Sequence, residues 1–491
     1  MKTIFLLFCT IPFWASSQEK SLEVALEDVI DMASQSSIDA FQMKNMFRAS
    51  YWEYRYFKAD RLPSLALGAT PVDFNRYRTQ EYNFETNESE YVHREYLNAD
   101  FALSLTQNVP LTGGSFFLES DLGIVKNLGE SQRDSYQSTP ISIGYQQTLN
   151  GYNELKWESR IEPVKFEKAK KDLIEARETL AIKALGKFFD MVEAQIQLNI
   201  AESNLSSADT LYRIGQGRFR VGTVTQDELL TLQLNLLKAR QSLNGAKSEV
   251  QRAQAGLNSF LSLDKTTKIE CVIPSRIPDI QIDSGEAQQK AFENNPIMLD
   301  HKEQLLEQDQ AVAEARAKAG FSTSIYALYG LDQSSSKFSD VYKNPDNSQR
   351  LRLGINIPII DWGRGKGRYQ MAQYNREVVR ASLKQEQIDF EQELFQDVVE
   401  FNLQAEQVKT AGLADTVAQK GYEVTLQRFM IGKVDVVKLD IARSDLETAR
   451  LAYISAVRAY WNYYYTLRKK TLFDFITRQT LSAEYDRLLE K

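Results

Sequence analysis

Two stretches of the chain, RFRVGTVTQDELL from Arg218 and RFMIGKVDVVKLD from Arg428, write one pattern twice, 428 − 218 = 210 positions apart. The residues downstream of each copy restrict the fold further. After the first, apolar residues fall at Leu229, Leu232, Leu236, Ala239, Leu243, Ala246, Val250, Ala253 and Leu257. After the second they fall at Leu439, Ala442, Leu446, Ala449, Tyr453, Ala456, Tyr460, Tyr463 and Leu467, at the same offset. Steps of three and four residues describe the apolar seam of a long helix, and the alanines along it permit close approach of a second helix. Upstream, Phe166, Ala169, Leu173, Ala176 and Leu180 keep the same step, and the run from Trp362 to Phe429 is helical in composition and free of proline. A helix of roughly 60 residues would reach about 90 Å, far beyond what a compact domain needs. Each repeated motif therefore reads as the turn at which a very long helix reverses. Gly222 and Gly432 give the backbone freedom for it, and Thr225 and Asp435 cap the returning helices.

Before each long helix the period changes to two. Leu351, Leu353, Ile355, Ile357 and Ile359 alternate with polar residues or Pro358, as do Ile141, Ile143, Tyr145 and Leu149. Similar alternation covers Phe101, Leu103, Leu105 and Val109, then Phe116, Leu118, Leu122 and Ile124, with shorter candidates at Leu65–Ala69 and Ile325–Tyr329. These are strands with one apolar face. The polar segments Asp73–Asp100, Lys126–Thr139 and Asp332–Arg350 read as long loops, and PLTGG at Pro110–Gly114 as a tight turn on the opposite side. Past the N-terminus there is no apolar run of eighteen residues, so a membrane could be crossed only by a barrel.

The chain thus divides into two halves, residues 18–263 and 284–472, each reading helix, strands, long helix, turn and returning helix, joined by a linker at 264–283 and ending in a tail at 473–491. Such a repeat implies internal duplication. Residues 1–17 read as a secretory signal peptide: Lys2, an apolar run from Ile4 to Trp14, then Ala15, Ser16 and Ser17, with cleavage near Gln18. Cys9 lies inside the apolar run, not at a lipid-attachment point. Cys271 is then the sole cysteine left, which excludes an intramolecular disulfide and reads as a small packed residue.

Chemistry is sparse. A formal net charge of −7 and a pI near 5.4 argue against a nucleic-acid partner. His93 and His301 have no second ligand at metal spacing, so no metal or cofactor is expected. GQG at Gly215 interrupts a helix and GRGKG at Gly363 lacks a full phosphate-loop pattern; a turn and a strand-to-helix junction explain them. No GxSxG nucleophile motif occurs, and an enzyme is the weakest reading. Trp157 and Trp362 come after strands, where membrane anchoring and internal packing account for them equally well.

The two turn motifs, INIPIIDWGRGKGRYQMAQ (Ile355–Gln373) and AFENNPIMLDHKEQLLEQ (Ala291–Gln308) together resemble the TolC-like outer membrane efflux protein family across the mature chain. The resemblance implies a mixed α and β membrane protein. In it, a homotrimer closes one transmembrane β-barrel in outer membrane lipid and continues it as an α-helical coiled-coil periplasmic tunnel. The implied function is the outer membrane channel of a tripartite efflux or type I secretion system, a passive export duct for small molecules or polypeptides. The implied partners are a periplasmic adaptor and an inner-membrane pump or ABC transporter. Residues Arg218, Phe219, Val221, Gly222, Thr223, Arg428, Phe429, Ile431, Gly432 and Lys433 would form the tips that dock the adaptor. Asp227, Glu228, Asp435, Lys438 and Asp440 are candidates for a tunnel constriction, against an ordinary reading as solvated helix charge. Two departures from the family stand out. Lys438 occupies the position matching Glu228, giving a mixed ring, and the first half holds an additional hairpin, Phe101–Val109 with Phe116–Val125. If it joins the barrel, a trimer has 18 strands, not 12. The alternatives are a structural coiled-coil envelope protein without transport activity, which leaves the strands unexplained, and a periplasmic adaptor subunit, which would carry a single helical hairpin.

Overall fold

A computed structural model of the chain describes residues 22–84, 87–128, 134–274 and 277–489. The expected signal peptide and Cys9 lie outside the described residues. The elements run β1 (Leu22–Val24), α1 (Leu26–Ser36), α2 (Ile38–Ala59), β2 (Ser64–Asn83), β3 (Glu88–Val109), β4 (Gly114–Asn127), β5 (Ser135–Leu149), α3 (Glu154–Arg220), α4 (Gln226–Phe260) and β6 (Ile269–Cys271). The second half continues with α5 (Ser284–Asn294), α6 (Ile297–Ala319), β7 (Ser322–Ser335), β8 (Asp346–Asn356), α7 (Arg364–Met430) and α8 (Val436–Thr471). A short tail holds β9 (Phe473–Asp474), β10 (Gln479–Thr480) and α9 (Tyr485–Leu489). The duplication is written in the helix lengths: α3 and α7 have 67 residues each, α4 and α8 have 35 and 36.

Contacts divide the chain into two units, and each half of the sequence contributes to both. One unit comprises residues 47–171 and 296–389. It holds a single sheet in the order β2-β3-β4-β5-β7-β8, with every pairing antiparallel. Register puts the alternating residues of all six strands on one face: Leu67 opposite Leu103, Leu105 opposite Leu118, Leu118 opposite Ile143, Ile143 opposite Tyr329, and Ile325 opposite Leu353. On the edge strands that face is solvent-exposed in the isolated chain, Leu67, Leu351 and Leu353 at 72%, 73% and 65%, while Leu105, Leu118 and Ile325 further in are half-exposed. The additional hairpin lies in register between β2 and β5, as part of the same sheet.

Three expectations about this sheet need correction. Asp73–Asp100 is not a loop; most of it forms the overhanging ends of β2 and β3, of which Glu88–Glu95 pairs with β2 and not with β4. Alternation of apolar residues is absent there because cross-strand polar pairs hold the ribbon: Arg76 with Glu95 at 2.7 Å, Arg94 with Glu81, Arg78 over the Tyr91 ring and Tyr77 edge-on to Tyr96. β8 stops at Asn356 rather than Ile359, because its partner β7 begins at Ser322, opposite Asn356, and Pro358 has no N–H to continue a ladder. The loops at 126–139 and 332–350 are likewise shorter than expected, since β4 and β7 extend into them and β5 and β8 begin within them. Within the same unit, Phe166 of α3 stacks on Tyr54 of α2 at 4.5 Å, and Lys168 of α3 bridges Asp300 and Glu303 of α6.

The other unit comprises, among the described residues, 22–46, 172–274, 277–295 and 390–489. Its core joins Leu180, Phe188, Phe189 and Val192 of α3 to Leu257, Phe401, Val457, Tyr460 and Tyr464. The expected linker is itself ordered into this core: β6 pairs in parallel with β1, burying Ile269 and Cys271, and Tyr460 donates its hydroxyl to Pro278 O at 2.6 Å. On α8 the expected seam widens beyond Leu446: its Tyr460 and Leu467 are fully buried, but so are residues beside it. Ile454, Val457, Trp461 and Tyr465 are buried, while Tyr453, Ala456 and Tyr463 are only partly so, because α8 here meets several elements and not one partner helix.

Candidate functional site at the two helical turns

Both repeated motifs fold as one turn. Gly222 N donates to Phe219 O at 3.0 Å and Thr223 N to Arg218 O at 2.9 Å; Gly432 N and Lys433 N do the same to Phe429 O and Arg428 O, each at 2.9 Å. This paired arrangement terminates a helix on a left-handed residue, and the glycines sit at φ +75° and +76°. A side chain there would cost about 1–2 kcal/mol of backbone strain. The returning helices are capped as the sequence suggested. The Thr225 hydroxyl accepts from Glu228 N, with the Glu228 carboxylate accepting from Thr225 N at 2.9 Å, and Asp435 accepts from Lys438 N at 2.8 Å.

The two turns are not equivalent in surroundings. Phe429 is 6% exposed, packed with Leu232, Val436 and Leu439, whereas Phe219 is 42% exposed. Arg218 donates its guanidinium hydrogens to Phe429 O at 3.4 Å and to Met430 O, and lies 5.8 Å from the centroid of the Phe429 ring. Those carbonyls belong to the last turn of α7, where acceptors are unsatisfied and the helix dipole favours a cation. Arg428 is exposed and has no partner among the described residues. Gly222, Thr223, Gly432 and Lys433 line the two turns, and Val221 and Ile431 project beside them, 73% and 65% exposed.

The five constriction candidates divide by what holds them. Glu228 is engaged in its own helix cap, and Asp227 is held below the usual carboxylate range by the Thr225 hydroxyl and nearby backbone N–H groups. Asp435 caps α8, leaving Lys438 exposed. The exchange of Glu228 for Lys438 thus has a local cause: a threonine cap recruits a reciprocal glutamate, an aspartate cap does not. Asp440 is drawn into a link between helices, accepting from Asn235 of α4 at 2.7 Å beside Arg443 at 3.4 Å. A second link, Asn204 Nδ2 to Glu447 at 2.6 Å, ties α3 to α8. Neither link was legible in the sequence, because the partners are 205 and 243 positions apart. Gly215 does not interrupt α3; it is buried against Leu232, whose Cδ1 would lie 2.4 Å from an added Cβ, so the glycine serves close packing of α3 on α4.

Elsewhere, Arg160 lies over the Trp157 ring and Trp362 is 95% exposed. His301 is buried with Nε2 3.5 Å from Glu386, and His93 pairs across the sheet with Arg78. Among the described residues no helix is long and apolar enough to cross a membrane.

The sequence matches the profile described as outer membrane efflux protein over residues 118–262 and 288–471. The chain belongs to that family. It is accordingly an outer membrane efflux channel protein, located in the outer membrane. Solved structures share the fold at low identity. The CmeC outer membrane channel of Campylobacter jejuni is 18% identical, with a TM-score of 0.66 over 95% of this chain and 88% of that one. A membrane protein from Pseudomonas aeruginosa is 16% identical, with a TM-score of 0.66 over 92% and 91%. VceC of Vibrio cholerae is 13% identical, with a TM-score of 0.62 over 91% and 95%. A sequence search of curated proteins returned no match. Family membership fits the helical hairpins and the duplication, and among the described residues the large sheet has six strands.

Proposed function

We propose that three copies of this chain form a passive duct, with one 18-stranded barrel (three times six strands) in the outer membrane and the long helices forming its periplasmic part. The observation that carries this reading is the open sheet. Among the described residues its edge strands β2 and β8 have no outer partner, and one face is apolar, exposed on β2 and β8 and half-exposed at residues such as Leu105, Leu118 and Ile325. Lipid would cover that face, and pairing of β2 with β8 of the next copy would satisfy both edges. Six strands are too few to enclose a lumen, whereas barrels of 16–18 strands leave an aqueous channel. Exposed apolar residues on α7, among them Tyr374, Val378, Leu413 and Val417, supply helical surface for the same association.

The two turns are the proposed docking end for a periplasmic adaptor, itself bound to an inner-membrane pump or ABC transporter that provides the energy. Phe219, Val221, Thr223, Arg428, Ile431 and Lys433 are the exposed side chains of that surface. Gly222 and Gly432 shape it, and Arg218 and Phe429 hold it together from inside. Purified protein should migrate as a heat-sensitive trimer from outer-membrane fractions and conduct ions in planar bilayers. A monomer recovered from the soluble periplasm would overturn the proposal.

A further inference from the structure

If the apolar face of the sheet meets lipid, the opposite face lines the lumen, and its charges are sorted along the strands. The ladder can be traced row by row on that face. One row runs Ser104, Glu119, Ser142, Gly330, Ser348. Toward the hairpin ends the next row contains Asp121 of β4 and the directly opposed pair Asp332 and Asp346 of β7 and β8, and the row beyond contains Asp100 of β3. Toward the helix-joined ends the sign reverses. Phe117, Gly144, Leu328 and Arg350 share the first row, and Ser115, Gln146, Tyr326 and Arg352 the second. None of these carboxylates or arginines is in an ion pair among the described residues. Two like charges directly opposed across a ladder, Asp332 and Asp346, are destabilising and offer nothing to the packing of the sheet.

We infer that Arg350 and Arg352 on one side, and Glu119, Asp121, Asp332 and Asp346 on the other, are specificity-determining residues of the barrel: a basic belt near the helices, then an acidic belt near the exit. This rests on the duct reading. Threefold repetition would give six arginines and then twelve carboxylates around one lumen. The order has a direction. Anionic solutes outside meet carboxylates first and are repelled, cationic or zwitterionic solutes are admitted, and an anionic group arriving from the helical side is drawn to the arginines before release. At the level of the two basic rows the Phe117 ring lies across Gly144 to stack on Tyr326 at 5.7 Å, so aromatic surface shares that level with the arginines.

The local potential can be read with single cysteines at two serines on the lumen face of β7. Ser334 lies beside Asp332 at the acidic end; Ser324 lies beyond Tyr326 at the basic end, about 33 Å away along the strand. Background reaction is low, since Cys271 is buried and its thiol pushed up to about 12. Trimers in membranes would be treated with cationic and anionic thiosulfonate reagents at 10 mM and 1 M salt, where the screening length falls from about 30 Å to about 3 Å. In 10 mM salt, Ser334→Cys should favour the cationic reagent by at least roughly fivefold and Ser324→Cys the anionic one, with both preferences fading in 1 M. Asp332→Asn with Asp346→Asn should erase the first preference alone, and Arg350→Gln with Arg352→Gln the second alone. Equal preferences at the two serines, or preferences unmoved by these changes, would overturn the belts while leaving the duct intact. Two cysteines that react with neither reagent would show that this face is no lumen and overturn both.

Discussion

At the scale of single residues, the repeated arginines show how one motif serves two ends. Arg218 spans the two turns through carbonyls of α7, while Arg428 stays free. Removing a charge-assisted but half-exposed contact should shift the balance of tip conformations by about 1 kcal/mol, near fivefold. Arg218→Ala is expected to raise channel conductance in bilayers, Arg218→Lys to do so less, and Arg428→Ala to leave it unchanged. A second prediction at this scale concerns Glu178 and Arg468. They approach to 3.1 Å with side chains only 5% and 18% exposed, close enough for an ion pair though partly off hydrogen-bond geometry. Burial pushes the Glu178 carboxyl up despite the Arg468 charge, so its contribution is fully present below the ordinary carboxylate range and is lost as pH rises through the folded value. Arg468→Gln, which strands a buried acid, should cost about 3–5 kcal/mol in denaturant unfolding of the detergent-solubilised protein. Glu178→Gln should cost clearly less, because Arg468 keeps Asp474 at 3.4 Å. Asp474 behaves oppositely. Burial pushes it up, but the Tyr464 hydroxyl, the Thr477 and Ile476 N–H groups and Arg468 outweigh that and hold it below its usual value. Its stabilisation is therefore present above the ordinary aspartate range and lost as pH falls through the depressed folded value. Asp474→Asn should flatten acid unfolding in that window.

At the scale of elements, periodicity carried most of the information. The helix pairs, their turns and the apolar faces of all six strands of the large sheet were legible because a single face of each element is apolar. The β2–β3 overhang was not. Its residues pair by charge and aromatic contact across the ribbon, and no alternation marks them. Because the pairing of β3 with β4 begins at Tyr96, whose partner on β2 is Asn75, replacing residues 76–95 by a short turn should leave trimer yield and conductance unchanged, as judged by heat-modifiable migration and bilayer recordings. Each turn is less forgiving. Gly432→Ala places a Cβ at φ +76° and should lower stability by about 1 kcal/mol, read as an earlier unfolding midpoint.

At the scale of the whole molecule, the proposed duct pairs the two open edges with other copies of the chain. Cysteines at Leu67 of β2 and Leu353 of β8, with neighbouring positions scanned because the register between copies is free to differ, should crosslink into a ladder ending at trimer. A ladder ending at dimer would exclude the 18-stranded barrel. The sequence by itself determined the duplication, the long helices, the reversing turns and the family. The first three arise from local rules, a period of about 3.6 or of two and glycine where the backbone must turn left-handed; the family came from the resemblance of the turn motifs and of Ile355–Gln373 and Ala291–Gln308. Only the tertiary structure decided that the additional hairpin joins one continuous sheet, that Arg218 fastens one turn to the other, that Asp440 is tied to Asn235, and that the charges on the sheet's polar face are sorted by sign. Those depend on strand register and on contacts between residues more than two hundred positions apart, which no local pattern encodes.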